Sequence, residues 1–182
     1  MGSLSMIVRP ATPEDIPEVL RLAAIMYASM GQAPRQDWYE EAGRVLAARL
    51  GGEDLAVFVA DAGEPGRLAS CVAGVVGDRL PGATNPGSFR AAYVQWMSTD
   101  PGYRRRGLAR EALTALLAWL RARGVTAVEL HATTEGEPLY RSLGFEPPPC
   151  PQLRLSLSRK PPGAAVPQHP GGNSLSGAPP GT

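Results

Sequence analysis

The stretch TDPGYRRRGLAREALTAL, residues 99–116, connects an apolar segment to an amphipathic helix. The preceding residues, RAAYVQWMST, are typical of a strand, and DPGY has the composition of a turn. The pattern then predicts a helix over 105–123, which Gly124 ends. VTAVELHAT, residues 125–133, predicts a further strand. A strand, a long helix and a strand in series indicate a right-handed parallel crossover, and hence a mixed α/β fold.

Three consecutive arginines, Arg104–Arg106, lie at the predicted start of this helix. Cations at a helix N-terminus are unfavourable by roughly 0.3–1 kcal/mol each, which indicates that an anion binds there. The backbone N–H groups of Arg105–Arg110 would be free in a first helical turn, and Gly107 would let an anion approach them. These donors suit a diphosphate. The alternative is a solvated helix end in which Gly107 is incidental.

Composition restricts the classes of protein that the chain could represent. The 182 residues are 43% hydrophobic, as expected for one globular domain. Eighteen Lys and Arg against 17 Asp and Glu give a formal charge of +1, too small for general nucleic-acid binding. No apolar run is long enough for a membrane helix, and the N-terminus lacks the apolar core of a secretory signal. Cys71 and Cys150 are interpreted as free thiols, and the protein is expected to be cytoplasmic.

The other elements are predicted from periodicity and from Gly and Pro punctuation. MIVRP suggests a short strand, and Thr12 followed by Pro13 marks the start of a first helix. The remaining predictions are a helix over 37–50, a hairpin of strands 54–62 and 66–78, a loop at 79–89, a short helix in EGEPLYRSL and a final strand over 152–158.

The C-terminal residues 161–182 differ in composition from the rest of the chain. They are rich in Pro and Gly, contain no charged side chain and offer few residues for a core. Such a segment cannot offset the entropy cost of ordering. We therefore predict one domain over 1–160 and a disordered tail over 161–182.

Two motifs now carry a resemblance to a known family. Arg104-Arg105-Arg106-Gly107-Leu108-Ala109 matches the Q/R-x-x-G-x-G/A pattern, and LYRSLGFEP at 139–147 matches a second signature. IVRPATPEDIPEVLRL at 7–22 also looks like the first strand and helix of this family. The chain thus resembles the GCN5-related N-acetyltransferases (GNAT) over residues 6 to about 159.

The resemblance implies a mostly antiparallel sheet flanked by helices, with a splayed parallel pair of central strands at about 91–99 and 125–132. Acetyl-CoA, the co-substrate, would lie in that gap, and no metal is implied. The backbone of Met97, Ser98 and Thr99 would pair with its pantetheine arm. The motif from Arg104 to Arg110, which includes Leu108 and Ala109, would bind its diphosphate.

The resemblance also suggests the residues that perform the chemistry. Tyr140 matches the family tyrosine that protonates the departing CoA thiolate, and a phenol is a hydrogen-bond donor at neutral pH. On the residues alone, a core aromatic on a short helix is the preferred interpretation.

A protonated amine needs a base, and Glu129 is the first candidate. It alternates with apolar Val128 and Leu130, so its carboxylate should face away from their core. Some family members carry a base glutamate on this strand, although an ordinary solvent-facing Glu fits as well. His131 shares that face and is the reserve candidate, although a lone His is more often structural.

One segment departs from the family pattern. Many members have an Asn after this strand and an Ala in the next helix, whereas this chain has Thr133, Thr134 and Glu135 there. The cofactor contacts at this point are therefore not predicted.

Two function hypotheses follow. The first is transfer of an acetyl group to a primary amine by direct attack in a ternary complex, with backbone amides near Met97 stabilising the oxyanion. The second is a non-catalytic CoA-binding or regulatory protein, which retention of Tyr140 disfavours. The acceptor would be a small molecule or a protein amine, with no nucleic-acid or membrane partner, and a homodimer is compatible with the sequence.

Overall fold

Five strands form one sheet in the order β1-β2-β3-β4-β5. The computed structural model describes residues 7–80, 90–148, 150–155 and 157. The strands are β1 (Val8–Pro10), β2 (Leu55–Asp61), β3 (Leu68–Asp78), β4 (Arg90–Thr99) and β5 (Ala127–Glu129). The helices are α1 (Ile16–Ser29), α2 (Gln36–Arg49), α3 (Leu108–Ala122) and α4 (Glu137–Ser142). Short 3₁₀ turns at Pro13–Asp15 and Pro101–Tyr103 precede α1 and α3.

Strand pairing confirms the predicted mixed sheet. The first four strands are antiparallel neighbours, and the hairpin of β2 and β3 is present. β4 and β5 are parallel, as the crossover through α3 requires. They pair only where Ala91–Tyr93 faces Ala127–Glu129, so residues 94–99 have no described strand partner on that side. The expected splayed pair is therefore present.

The helices cover both faces of the sheet. α3 carries six buried apolar residues and packs on one face with Tyr140 of α4. α1 and α2 pack on the other face, where Val19, Leu22 and Leu46 are almost fully buried. Since hydrophobic burial contributes roughly 25 cal/mol per Å², these two clusters are the main source of stability.

Gly74 is the point where β3 and α3 approach most closely. A β-carbon there would lie 2.9 Å from Leu116 Cδ1, and Leu116 is completely buried. Because overpacking a filled core costs about 1–3 kcal/mol, we expect Gly74→Ala to lower the free energy of unfolding by that amount. Urea denaturation followed by circular dichroism measures it.

Gly77→Ala is the matched control in the same strand. A β-carbon at Gly77 would meet no heavy atom within 4 Å. The control should leave the unfolding free energy within about 1 kcal/mol of the wild-type value, since Gly→Ala at an unstrained site mainly restricts the unfolded chain. Equal stability of the two variants would contradict the tight packing of α3 on Gly74.

Three predicted boundaries are corrected by the structure. α3 begins at Leu108, not at residue 105, because Arg105 and Gly107 have left-handed φ angles of 63° and 84° that interrupt a helix. β5 has three residues instead of nine, because its neighbour β4 diverges from it after Tyr93. The final strand predicted over 152–158 is absent from the described residues 152–155 and 157.

The chain divides into one compact unit over Met1–Phe145 and a second over Glu146–Thr182. The described residues of the second unit have no helix or strand. The predicted tail at 161–182 and most of the predicted loop at 79–89 lie outside the described residues. Among the helices that the structure describes, none has the length and apolar character needed to cross a bilayer.

Candidate active site

The arginine-rich turn before α3 presents a row of free backbone donors. The N–H groups of Arg105, Arg106 and Gly107 have no acceptor among the described residues, and those of Leu108–Arg110 are in the first helical turn. The left-handed Arg105 and Gly107 curve this backbone. Such a curved run of amides at a helix N-terminus can bind an anion, and the diphosphate site expected from the sequence stays a prediction.

The three arginine side chains of this turn differ in their contacts. The Arg106 guanidinium donates to the Gly102 carbonyl at 3.1 Å and lies 5.1 Å from the centroid of the Tyr103 ring. Arg104 donates weakly to the Thr99 carbonyl at 3.4 Å. Arg105 has no hydrogen bond or ion pair within the described part of the chain. The guanidinium of Arg105 is therefore available to an anion.

Asp100, at the end of β4, fixes this turn to the rest of the fold. Its carboxylate accepts from Arg21 of α1 at 2.8 Å, from Arg67 at 3.0 Å and from the Gly102 amide at 3.1 Å. Burial raises the pKa of Asp100, but these donors outweigh it and hold the pKa below the usual 3.8. Asp100 therefore stays ionised at neutral pH and keeps the turn in place.

A β-bulge interrupts β4 beside the gap between β4 and β5. The register with β3 shifts between Cys71 and Ala73, and Trp96 has a left-handed φ of 54°. As a result, the consecutive side chains of Gln95 and Trp96 both lie on the face covered by α2. A left-handed Trp costs about 1–3 kcal/mol and persists only where its surroundings impose it.

Three contacts hold the bulge. The Cys71 thiol donates to the Trp96 carbonyl at 3.3 Å, and the Trp96 indole donates to the Tyr27 hydroxyl at 3.2 Å. Trp38 packs edge-on against the Trp96 ring. Burial raises the pKa of Cys71 to about 12, so this thiol is an unreactive structural group. Both cysteines are free, as predicted.

The backbone of Met97, Ser98 and Thr99 continues β4 along the open side of the gap. The Ser70 hydroxyl donates to the Ser98 carbonyl at 2.9 Å and lies 2.9 Å from the Thr99 hydroxyl. These bonds fix the end of β4 from the β3 side. Its other edge, which faces the gap, is left for a ligand that can pair with a strand.

Tyr140 lies on the α3 side of the sheet. Only 9% of its surface is exposed, and its ring packs edge-on against Phe145 at 5.9 Å. Burial raises the pKa of the phenol above its usual 10.0, so the hydroxyl is protonated at neutral pH. Among the described residues, no side chain or carbonyl accepts a hydrogen bond from it. Tyr140 is thus both a core aromatic and an available proton donor.

One hydrogen bond connects the anion site to the helix of Tyr140. Arg110, in the first turn of α3, donates to the Ser142 hydroxyl at 2.7 Å. Ser142 in turn donates to the Leu139 carbonyl at 2.5 Å. The start of α3 and the whole of α4 are therefore held at a fixed separation.

Glu129 lies on the opposite face from Val128 and Leu130, as its alternation predicted. Both of its carboxylate oxygens accept from the Arg79 guanidinium at 2.7 Å. This contact lowers the pKa of Glu129 below the usual 4.5, although the carboxylate is 42% exposed. A carboxylate with a lowered pKa is a weaker base.

His131 is the second titratable group on this face. Its Nδ1 atom shares a hydrogen bond with the Tyr93 hydroxyl, and the two rings are 5.7 Å apart. Tyr93 pairs with Glu129 in the register of β4 and β5. The structure thus brings Arg79, Glu129, Tyr93 and His131 together, on the face of the sheet opposite Tyr140.

Several of these residues had no sequence signal. The arginine partners of Asp100 and Glu129 come from 33 to 79 positions away, and the left-handed Trp96 has no compositional marker. Within the described ranges, no group of three or more His, Cys, Asp or Glu is arranged to hold a metal. The candidate site consists of the backbone amides and arginines before α3, the Tyr140 phenol on one face of the sheet, and Glu129 and His131 on the other face.

One family model matches the part of the chain that holds most of these residues. The model of the acetyltransferase (GNAT) family matches residues 23–145, which include the bulge, the arginine turn and Tyr140. No curated protein sequence matches the chain significantly.

Solved structures agree with the family match. A predicted acetyltransferase from Clostridium acetobutylicum, solved with acetyl-CoA, is 26% identical with a TM-score of 0.73, covering 84% of this chain and 96% of that one. A GCN5-related N-acetyltransferase from Ralstonia eutropha is 24% identical with a TM-score of 0.69, covering 83% and 99%. Glucosamine-6-phosphate N-acetyltransferase from Arabidopsis thaliana shares the fold at 18% identity and a TM-score of 0.63, covering 85% and 99%.

Proposed function

The chain belongs to the GNAT family of acetyltransferases, and from this premise we propose that it transfers the acetyl group of acetyl-CoA to a primary amine. The observation that carries the proposal is the edge of β4 over residues 94–99, which no described strand pairs. It leads toward the amides of Arg105–Arg110, which have no acceptor in the described part of the chain. One end suits an extended amide-containing arm and the other suits a diphosphate. The acetyl-CoA bound to the Clostridium acetobutylicum relative is consistent with this co-substrate.

The residues of the site fit acetyl-CoA in chemistry as well as in position. Met97, Ser98 and Thr99 would pair with the pantetheine arm through their backbone. The amides of Arg105–Arg110, including those of Gly107, Leu108 and Ala109, would bind the diphosphate. The Arg105 guanidinium, which no described residue pairs, would supply a compensating charge, with Arg104 and Arg106 beside it.

Acetyl-CoA supplies a thioester whose acetyl carbon accepts the amine nitrogen. A C–N bond forms and a C–S bond breaks, so one proton must leave the amine and one must reach the sulfur. We place the donor at the Tyr140 hydroxyl, which is protonated, buried and without a hydrogen-bond acceptor among the described residues. Backbone amides near Met97 would stabilise the oxyanion in between.

The base lies on the other face of the sheet, where Glu129 and His131 are the candidates. Glu129 is engaged by Arg79 through both oxygens, and its pKa is lowered. The Tyr93 contact orients the ring of His131. If Nδ1–H donates to the Tyr93 oxygen, Nε2 is free to accept a proton. We therefore favour His131 over the first candidate, Glu129.

The pH dependence of activity distinguishes these two bases. Activity falls as pH drops through the pKa of a base. A base at Glu129 gives an acidic limb below pH 4.5, because the Arg79 contact holds the pKa of this carboxyl below its usual value. If His131 is the base instead, Glu129→Gln leaves the kcat/KM profile in this range unchanged. We expect His131→Asn to lower kcat/KM by roughly 10² at neutral pH.

Glu129→Gln is the control for this experiment. It should lower kcat/KM by less than about threefold at neutral pH, far less than His131→Asn. If the wild-type kcat/KM profile has a limb only below pH 4.5 and Glu129→Gln abolishes it, Glu129 is the general base.

The proposed function is tested by binding and by turnover. Acetyl-CoA should raise the melting temperature of the protein, whereas ATP and NAD should not, because the loop lacks P-loop and dinucleotide-fold spacing. A panel of primary amines is then assayed for CoA release. Stabilisation by acetyl-CoA with no acetylated product from any amine would favour the non-catalytic CoA-binding alternative. Equal stabilisation by ATP would contradict the proposal.

A further inference from the structure

A cavity of about 510 Å³ lies between α2 and the sheet. Its volume is within the range of sites for small organic ligands. Eight of its twelve lining residues are apolar or aromatic: Trp38, Ala42, Val45, Leu46, Leu55, Ala73, Val75 and Trp96. The other four are Asp37, Glu41, Arg49 and Gln95.

The cavity borders β4 at its bulge, directly before the strand segment that is proposed to bind acetyl-CoA. The bulge orients both Gln95 and Trp96 toward it, and the next residue is Met97, whose backbone lines the proposed acetyl-CoA groove. A ligand in the cavity would therefore lie beside the strand on which the thioester is proposed to bind. This arrangement follows from the left-handed backbone of Trp96.

The polar lining is mostly engaged already. The Arg49 guanidinium donates to Asp54 at 2.7 Å, and Glu41 accepts from Arg44 through both oxygens. The side-chain amide of Gln95 has no hydrogen-bond partner among the described residues. The described lining of the cavity offers a phosphate group no unpaired cation. It offers a polyhydroxylated sugar one free amide, that of Gln95.

We propose that this cavity binds the body of the acceptor, and that the acceptor is a primary amine carrying an aryl or bulky apolar group. This inference rests on the proposed function. Edge and face contacts with Trp38 and Trp96 would hold an aromatic ring, and Gln95 offers one hydrogen bond.

The experiment measures binding separately from turnover. 2-Phenylethylamine and glucosamine 6-phosphate are titrated calorimetrically into the full chain, with and without CoA. We expect 2-phenylethylamine to bind at least tenfold more tightly than the sugar phosphate. Equal or tighter binding of glucosamine 6-phosphate, or no 2-phenylethylamine binding at millimolar concentration, would overturn the inference.

Matched variants locate the binding site. Trp38→Leu should weaken 2-phenylethylamine binding at least tenfold, whereas Trp119→Leu should not change it, because Trp119 lies on α3 under the Arg123 guanidinium and packs on the other core cluster. Val45→Phe, which fills the cavity instead of opening the core, should also weaken binding. Unchanged affinity in a folded Val45→Phe protein would contradict the assignment.

Failure of the proposal and failure of the proposed function give different results. If 2-phenylethylamine binds in the cavity but no amine releases CoA, the cavity assignment stands and the acetyltransfer reaction fails. If a polar amine releases CoA while 2-phenylethylamine neither binds nor reacts, the reaction stands and the apolar substrate class is wrong.

Discussion

Replacement of Tyr140 by Phe should lower kcat by roughly 10²–10⁴ while leaving the affinity for acetyl-CoA unchanged. The variant keeps the ring that packs against Phe145 and removes only the hydroxyl, which has no described hydrogen-bond partner in the fold. Stability should therefore stay within about 1 kcal/mol of wild type, since no buried partner is left unsatisfied. Steady-state kinetics on a confirmed amine and calorimetric titration with acetyl-CoA measure the two effects.

Tyr103→Phe serves as the control for Tyr140→Phe. Tyr103 lies in the turn before α3 and contacts the Arg106 guanidinium through its ring, so its hydroxyl has no assigned role. The turnover of the Tyr103→Phe variant should match that of the wild type. A wild-type rate in Tyr140→Phe would mean that the thiolate leaves without this proton donor, and the catalytic assignment would be wrong.

Substitution of Gly107 by Asp should weaken acetyl-CoA binding by at least about 10². Asp is a favoured residue at a helix N-cap, where its carboxylate accepts from the free amides of the first turn. In this position the carboxylate would occupy the diphosphate site and repel the diphosphate by roughly 3 kcal/mol at 5 Å in an effective dielectric of about 20. The fold should be retained, because Asp tolerates left-handed backbone better than most residues. Calorimetric titration measures the affinity.

Gly124→Asp is the control for Gly107→Asp. It also places Asp in a left-handed conformation, but away from the proposed diphosphate site. Gly124 has a φ of 71° at the opposite end of α3, close to the 84° of Gly107. A carboxylate there opposes the helix dipole and should lower the melting temperature slightly while leaving acetyl-CoA affinity unchanged. Binding by Gly107→Asp within threefold of wild type would show that the diphosphate lies elsewhere.

The sheet could be predicted closely from the sequence because its signals are local. The hairpin of β2 and β3 is marked by GEPG between two apolar runs, and Gly124 marks the end of α3. The predicted start of α3 was wrong because Arg105 adopts a left-handed conformation, and an arginine in the sequence does not indicate such a conformation. The predicted strand at 152–158 rested on alternation alone, and alternation cannot supply the neighbouring strand that a β-strand requires.

The candidate site was predictable in its motifs but not in its environment. The unfavourable position of Arg104–Arg106 indicated an anion site because helix electrostatics is a local effect. The weakness of Glu129 as a base was not visible, since Arg79 is 50 positions away. The cavity beside Trp96 was equally invisible, because it depends on one bulge and on how α2 packs over it.

α1 contacts both halves of the proposed site. Toward its start, Arg21 bonds to Asp100, which holds the turn of the diphosphate loop. Six residues later, the Tyr27 hydroxyl accepts from the Trp96 indole, which lines the cavity. A single helix thus contacts both halves of the proposed site. Thermodynamic linkage then makes the influence mutual: whatever factor acetyl-CoA contributes to the affinity for the amine, the amine contributes to the affinity for acetyl-CoA.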